Sequence, residues 1–283
     1  MLNKKNILWL SFATIMAALV IFFSILNKKE EKLLVRANKK DILKVWKKDY
    51  PYRKYLHIKK FYKPLAKKTI EICLKYNVPP AAVLAMAGVE SGYGQGYISK
   101  ITGNILSLGA KKNEAMLPAL YLPNIINFPS KVLYNPQIIN RYKKNELYWS
   151  KRLPSFKKDY RPKNIAGTKK ELDYFDKHLQ KRVDANLANI EDFCKNWISV
   201  NKKQKAFVKA REMLDNAVKS ATKSVLFTKE LNIKFINLIG GKKNSFNYRA
   251  TWPKKVILIM KKVGLVNLVK SLHVTHENFN TLW

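Results

Sequence analysis

The stretch PPAAVLAMAGVESGYGQG, Pro79 to Gly96, carries one charged side chain, Glu90, and no other charge lies between Lys75 and Lys100. In a chain that is 26% charged, so isolated a carboxylate calls for a chemical explanation. Helical spacing sets Val83, Ala87 and Glu90 on one side, which gives the carboxyl group apolar neighbours. Desolvation and the negative end of the helix dipole both favour its neutral form. A carboxyl group that keeps its proton can deliver it, as a general acid does. Gly92, Gly94 and Gly96 follow at once, leaving room for a bulky substrate and allowing a sharp exit from the helix. The structural alternative is a Glu that only caps or pairs locally at an exposed turn.

The elements around this residue read as mostly helical. Asp41 can cap a short helix running to Tyr50, and His57 to Tyr76 has helical apolar spacing, with a bend expected at Pro64. NVPP ends that helix and starts the next, Ala81 to Glu90, whose apolar surface all round marks burial on every side. YISKITGN reads as a short helix and turn, ILSLGA as a strand, and LQKRVDA as a returning strand. Between them, Lys111 to Lys170 holds six prolines and many Tyr and Asn, the pattern of a lobe of loops and short strands. Helices resume over Ile190–Val200, Gln204–Lys219, Ser224–Ile239 and Pro253–Val263, the last preceded by the loop GGKKNSFNYRATW. The expected plan is α+β, a helical body interrupted once by an irregular, partly β insertion.

The net charge of +36 favours polyanionic surroundings, whether nucleic acid, acidic lipid or an anionic wall polymer, and also fits a Lys-rich composition with no such meaning. No recognition motif for nucleic acid accompanies it, and no nucleic-acid partner is expected. Ile7 to Leu26 is uncharged over a length that spans a bilayer, with no small-x-small cleavage site after it. It is expected to be a retained anchor, placing the chain in the cytoplasmic membrane with its globular part in the periplasm or wall space. Cys73 and Cys194 are the only thiols, each in an apolar helical pattern. Buried free cysteines are the simpler reading, and a disulfide cannot be read from the sequence. His57, His178, His273 and His276 are scattered without metal-ligand spacing, so neither metal nor cofactor is expected.

VLAMAGVESGYGQGYIS, followed by GNILSLGA, resembles the glucosaminidase family of peptidoglycan hydrolases in the lysozyme superfamily, and among them the Bax-like variants. Glu90-Ser91-Gly92-Tyr93-Gly94 is similar to the family's Glu-Ser-x-x-Gly helix end, and Gly103 to Gly109 is similar, more loosely, to its Asn-Leu-Phe-Gly-like strand. NIEDFCKNWI and NYRATWPKKVILIMKKVGL resemble its later helix and its Tyr-bearing loop. The resemblance implies a lysozyme-like catalytic domain over residues 68–283 with a small β-lobe, after an anchor over 1–27 and a basic helical linker over 28–67. It implies Glu90 as the general acid on a β-1,4-linked amino-sugar glycan, with peptidoglycan strands as partner. Tyr248 matches the family's active-site tyrosine one residue out of register, and Trp252 stands where the family has an aspartate. Ser91, Tyr93 and Asn104 become candidate substrate-binding residues.

A second carboxylate is harder to find. Ile101 to Lys170 contains only Glu114, Glu146 and Asp159, and Glu114 lies nearest to where the family's β-lobe glutamate falls, within a poorly matching KKNEAMLP. Retaining and inverting glycosidases both need such a partner. Without one, the substrate's own N-acetyl group or a transglycosylase's internal ring closure completes the reaction. The alternatives are therefore a lytic transglycosylase or muramidase, and a non-catalytic wall-binding scaffold on a degenerate glycosidase fold.

Overall fold

The computed structural model describes residues 50–200 and 203–283. Tyr50–His273 and Glu277–Trp283 form one compact unit. Its centre is the helix Pro80–Ser91, in which every residue from Pro80 to Gly88 is buried. The helices Ala66–Lys75, Lys229–Ile239 and Trp252–Val263 pack around it. Enclosure on several sides is why its sequence is apolar all round and has no polar stripe.

A helix so deeply buried must satisfy its first backbone N–H groups without water. Pro80 has none to satisfy, and Pro79 supplies no side-chain cap. The fully buried Asn232, 150 residues away in sequence, accepts the Ala82 N–H through Oδ1 at 2.8 Å. Its Nδ2 donates to the Leu226 and Thr228 carbonyls at 3.0 and 2.7 Å, which fixes the amide's orientation. One side chain thus joins the start of the central helix to the helix Lys229–Ile239.

The insertion carries the only regular sheet among the described residues. Strands β1 (Tyr121–Ile125), β2 (Phe128–Val132) and β3 (Leu147–Lys151) are antiparallel in the order β2-β1-β3. Pro123 faces Trp149, and a bulge interrupts the β1–β2 register between Asn124 and Ile125. One face of the sheet meets the body through Leu122, which packs with Ile101, Leu117 and Leu120. The α+β plan stands, with two segments different from expectation. ILSLGA is not a strand, because Ser107 sits at φ 56°, a left-handed conformation that breaks an extended run. LQKRVDA is the first half of the helix Leu179–Asp192, whose inner face is Ala185, Asn186, Asn189 and Ile190. Small and amide residues fill that helical stripe, so the hydrophobic pattern is too weak to reveal it.

The expected membrane-spanning helix requires a correction. No helix among the described residues is long and apolar enough to cross a membrane. The anchor expected over Ile7–Leu26 lies outside the described residues, as does the helix capped by Asp41. The described architecture holds no membrane helix, and it does not support the expected single-pass localisation.

Asn232→Ala would remove the partner of the Ala82 N–H and of the Leu226 carbonyl, while the Thr228 carbonyl keeps the residue 232 backbone N–H. Stability should fall by about 3 kcal/mol in urea unfolding, and a loss within experimental error would show that the amide does not hold the helix start.

Candidate active site

Glu90 stands in the last turn of the central helix, half-buried. Behind it the chain leaves the helix through three consecutive left-handed residues, Gly92 at φ 55°, Tyr93 at 56° and Gly94 at 75°. Glycine takes such angles freely; a tyrosine there must be held by its surroundings. The Tyr93 ring packs edge-on against His57, Phe61 and Tyr62. Its hydroxyl is buried with no hydrogen-bond partner among the described residues, and burial pushes it up to about 12. The buried Ser91 donates to the Ala87 carbonyl and accepts the Gly94 N–H at 2.8 Å, tying the turn to the helix end. From outside, Arg182 holds the Gly94 carbonyl and the Tyr134 hydroxyl donates to that of Gln95.

The carboxyl group itself is held from the C-terminal part of the chain. Trp252 Nε1–H donates to Glu90 Oε1 at 2.6 Å, and Asn247 Nδ2–H donates to the same oxygen at 3.3 Å. Asn247 Oδ1 accepts the Arg249 N–H at 3.1 Å, so the amide must present its nitrogen to Glu90. Bonds from Gly241 N–H to the Asn247 carbonyl and from Phe246 N–H to the Ile239 carbonyl close the loop that carries it. Trp252 is 3% exposed and packs against Gly240, where a Cβ would come within 2.1 Å of the indole. Both hydrogen bonds fall on Oε1.

The insertion contributes a cation. Lys157 donates to the Ser107 carbonyl; burial lowers its ammonium, and the charge of Glu90 acts in the opposite direction. The next residue, Lys158, makes a separate cluster. Its ammonium lies 2.7 Å from Glu114 Oε1 and 2.7 Å from Asp192 Oδ2. Tyr160 also donates to Asp192 Oδ2, and Asn196 to Oδ1. Burial works to raise the Asp192 carboxyl, but bonds from Asn196, Lys158 and Tyr160 outweigh it and hold the group below the ordinary range.

The candidates named from sequence therefore fall in different places. Glu90 meets Trp252 and Asn247, while Tyr248 beside Asn247 is 71% exposed. Glu114 is engaged by Lys158 and by the Lys111 N–H, away from any bond with Glu90. Asn104 is 1% exposed: it donates to the Leu108 and Lys158 carbonyls and accepts from Leu108 N–H and Asn189 Nδ2. It clamps the loop that follows the turn behind Glu90. Asn247 and Lys157 were not singled out beforehand. Asn247 adjoins the flagged Tyr248, and only the folded loop decides which of the two faces the carboxyl. Among the described residues no group of His, Cys, Asp or Glu could hold a metal ion.

No protein-family model and no curated protein matches the chain. Among solved structures, the chain is similar to the catalytic domain of the autolysin Auto from Listeria monocytogenes. The identity is 12% over 82% of this chain and 95% of that one, with a TM-score of 0.40.

Trp252→Phe keeps a ring on Gly240 and removes the N–H. It should cost about 1 kcal/mol of stability, and far less when Glu90 is already Ala, which offers the N–H no acceptor; additive losses would mean that the two side chains are not coupled. For Asp192, a folded carboxyl below its unfolded value contributes stability that is present above pH ~3.9 and lost as pH falls through the folded value. The difference in urea midpoint between the parent protein and Asp192→Asn should be full at pH 7 and close below about pH 4. An equal gap at both would contradict this.

Proposed function

We propose that the chain is a peptidoglycan hydrolase that cuts β-1,4 bonds of the glycan strand as an N-acetylglucosaminidase, with Glu90 as general acid. The observation that supports it best is the half-buried carboxyl group held through Oε1 alone, by Trp252 and Asn247. The substrate class follows the resemblance of the Glu90–Gly94 and Gly103–Gly109 segments. Glu90 Oε2–H gives its proton to the glycosidic oxygen as the bond from that oxygen to the sugar's anomeric carbon breaks. The two N–H donors and the nearby Lys157 then stabilise the carboxylate left behind, so part of the cost of ionisation is met by groups already in place.

Glu114 is occupied by Lys158, so the second role is assigned to the substrate's own acetamido oxygen, which closes on the anomeric carbon until water opens the ring. The same observation favours single-acid transglycosylation as a second reading, in which a hydroxyl of the substrate closes the ring. Tyr248, exposed beside Asn247, is assigned to substrate contact. Ser91, Tyr93 and Asn104 act through the position they give to the turn and to Glu90.

Purified peptidoglycan incubated with the protein should yield fragments ending in reducing N-acetylglucosamine by mass spectrometry. Reducing N-acetylmuramic acid ends would make it a muramidase, anhydro ends a transglycosylase, and intact glycan would end the enzymatic reading. Glu90→Gln should lower cleavage by about 10²–10⁴-fold while the protein stays folded. Glu114→Gln should cleave at near-parental rates, and a comparable loss would instead make Glu114 the second catalytic carboxylate.

A further inference from the structure

The chain has two cysteines in 283 residues, 121 positions apart in sequence. Cys73 lies on the helix Ala66–Lys75 and Cys194 on the π-helical segment Phe193–Ser199. Their Sγ atoms are 3.9 Å apart, and both residues are fully buried. Two independent buried thiols among so many core positions would seldom be neighbours. Nor does a metal account for them, since no metal-holding group of His, Cys, Asp and Glu exists among the described residues.

We propose that Cys73 and Cys194 are a disulfide site, cross-linked by a thiol oxidant of the disulfide class before the fold closes over them. A disulfide's sulfurs are about 2.05 Å apart, so the pair must approach by roughly 2 Å to bond. In the reaction, one cysteine thiolate attacks the oxidant's S–S bond and releases one thiol. The second cysteine thiolate then attacks the mixed disulfide and releases the other. Two S–H bonds are lost and one S–S bond forms; the two electrons reduce the oxidant's disulfide to two thiols, which take up the two protons. In the folded chain the sulfurs are out of reach of solvent, so the same burial that excludes the oxidant also protects the finished bond. The loop it closes, residues 73 to 194, contains Glu90, the turn behind it and the whole insertion. The cross-link therefore pins a helix that packs on the Glu90 helix to the segment following Asp192.

The test takes the full chain, denatured and reduced, and refolds it over a series of reduced-to-oxidised glutathione ratios. Thiols are then counted by maleimide labelling in denaturant and by intact mass. The expected result is loss of both thiols, a mass lower by two hydrogens and a Cys73–Cys194 cross-linked peptide. Because folding raises the effective concentration of one thiol at the other, the folded chain should keep the bond at glutathione ratios at least about a hundredfold more reducing than the chain in urea does. Two free thiols at every ratio, glutathione adducts in place of the cross-link, or equal midpoints in buffer and in urea would each overturn the proposal.

Discussion

Two hydrogen bonds to one oxygen, from Trp252 and Asn247 to Glu90 Oε1, are the constraint to which the rest of the site is fitted. They join residues 157 and 162 positions apart, so the end of the central helix and the start of Trp252–Val263 must meet within a fraction of an ångström. Gly240 meets that demand by having no side chain, since a Cβ would occupy the place of the indole ring. Asn247 meets it by spending its carbonyl oxygen on Arg249 N–H, which leaves only N–H to offer. The left-handed turn at Gly92, Tyr93 and Gly94 ends the helix directly behind the carboxyl group. Each of these would be an unexplained local oddity without the carboxyl group it serves.

The insertion is positioned by burial of charge as well as by apolar contact. Arg161 and Asp159 are both buried, with Nη2–Oδ2 at 2.6 Å, and Asp159 also accepts the Arg161 and Gly167 N–H groups. Such a pair gains little stability over apolar packing, but breaking it would strand a charge, so it enforces one arrangement. Two residues before Asp159 comes Lys157, the cation electrostatically coupled to Glu90, and then Lys158, which bridges Glu114 and Asp192. The strap 157–161 is thus held at one end by a buried ion pair and at the other by the Ser107 carbonyl. Asn104 and Asn189 complete the join between the loop and the helix Leu179–Asp192.

Much of this was legible from residue types, and the exceptions have physical reasons. The Glu90 helix was visible because full burial leaves an unbroken apolar run. The Gly-rich turn was visible because left-handed backbone selects glycine. The helix Leu179–Asp192 was hidden because its inner face uses Asn186 and Asn189, whose amides bond to loop backbone where leucines would merely pack. Trp252 was noticed only as a departure from a family pattern, and its N–H to Glu90 depends on a contact across most of the chain. Glu114 stood out as the acid nearest to where the family's β-lobe glutamate falls, among only three acids from Ile101 to Lys170. That same scarcity explains its ion pair, since Lys158 has few carboxylates to choose from.

The central claim is that Glu90 delivers a proton to a departing oxygen. A leaving group that departs without protonation removes the need for that proton, so the rate should be measured on two substrates. One is a wall glycan strand; the other is a chitooligosaccharide carrying a nitrophenolate leaving group. The account predicts that the deficit of Glu90→Gln on the glycan shrinks by at least about tenfold on the activated substrate. An equal deficit on both would mean that Glu90 acts through binding or structure, and would contradict the account.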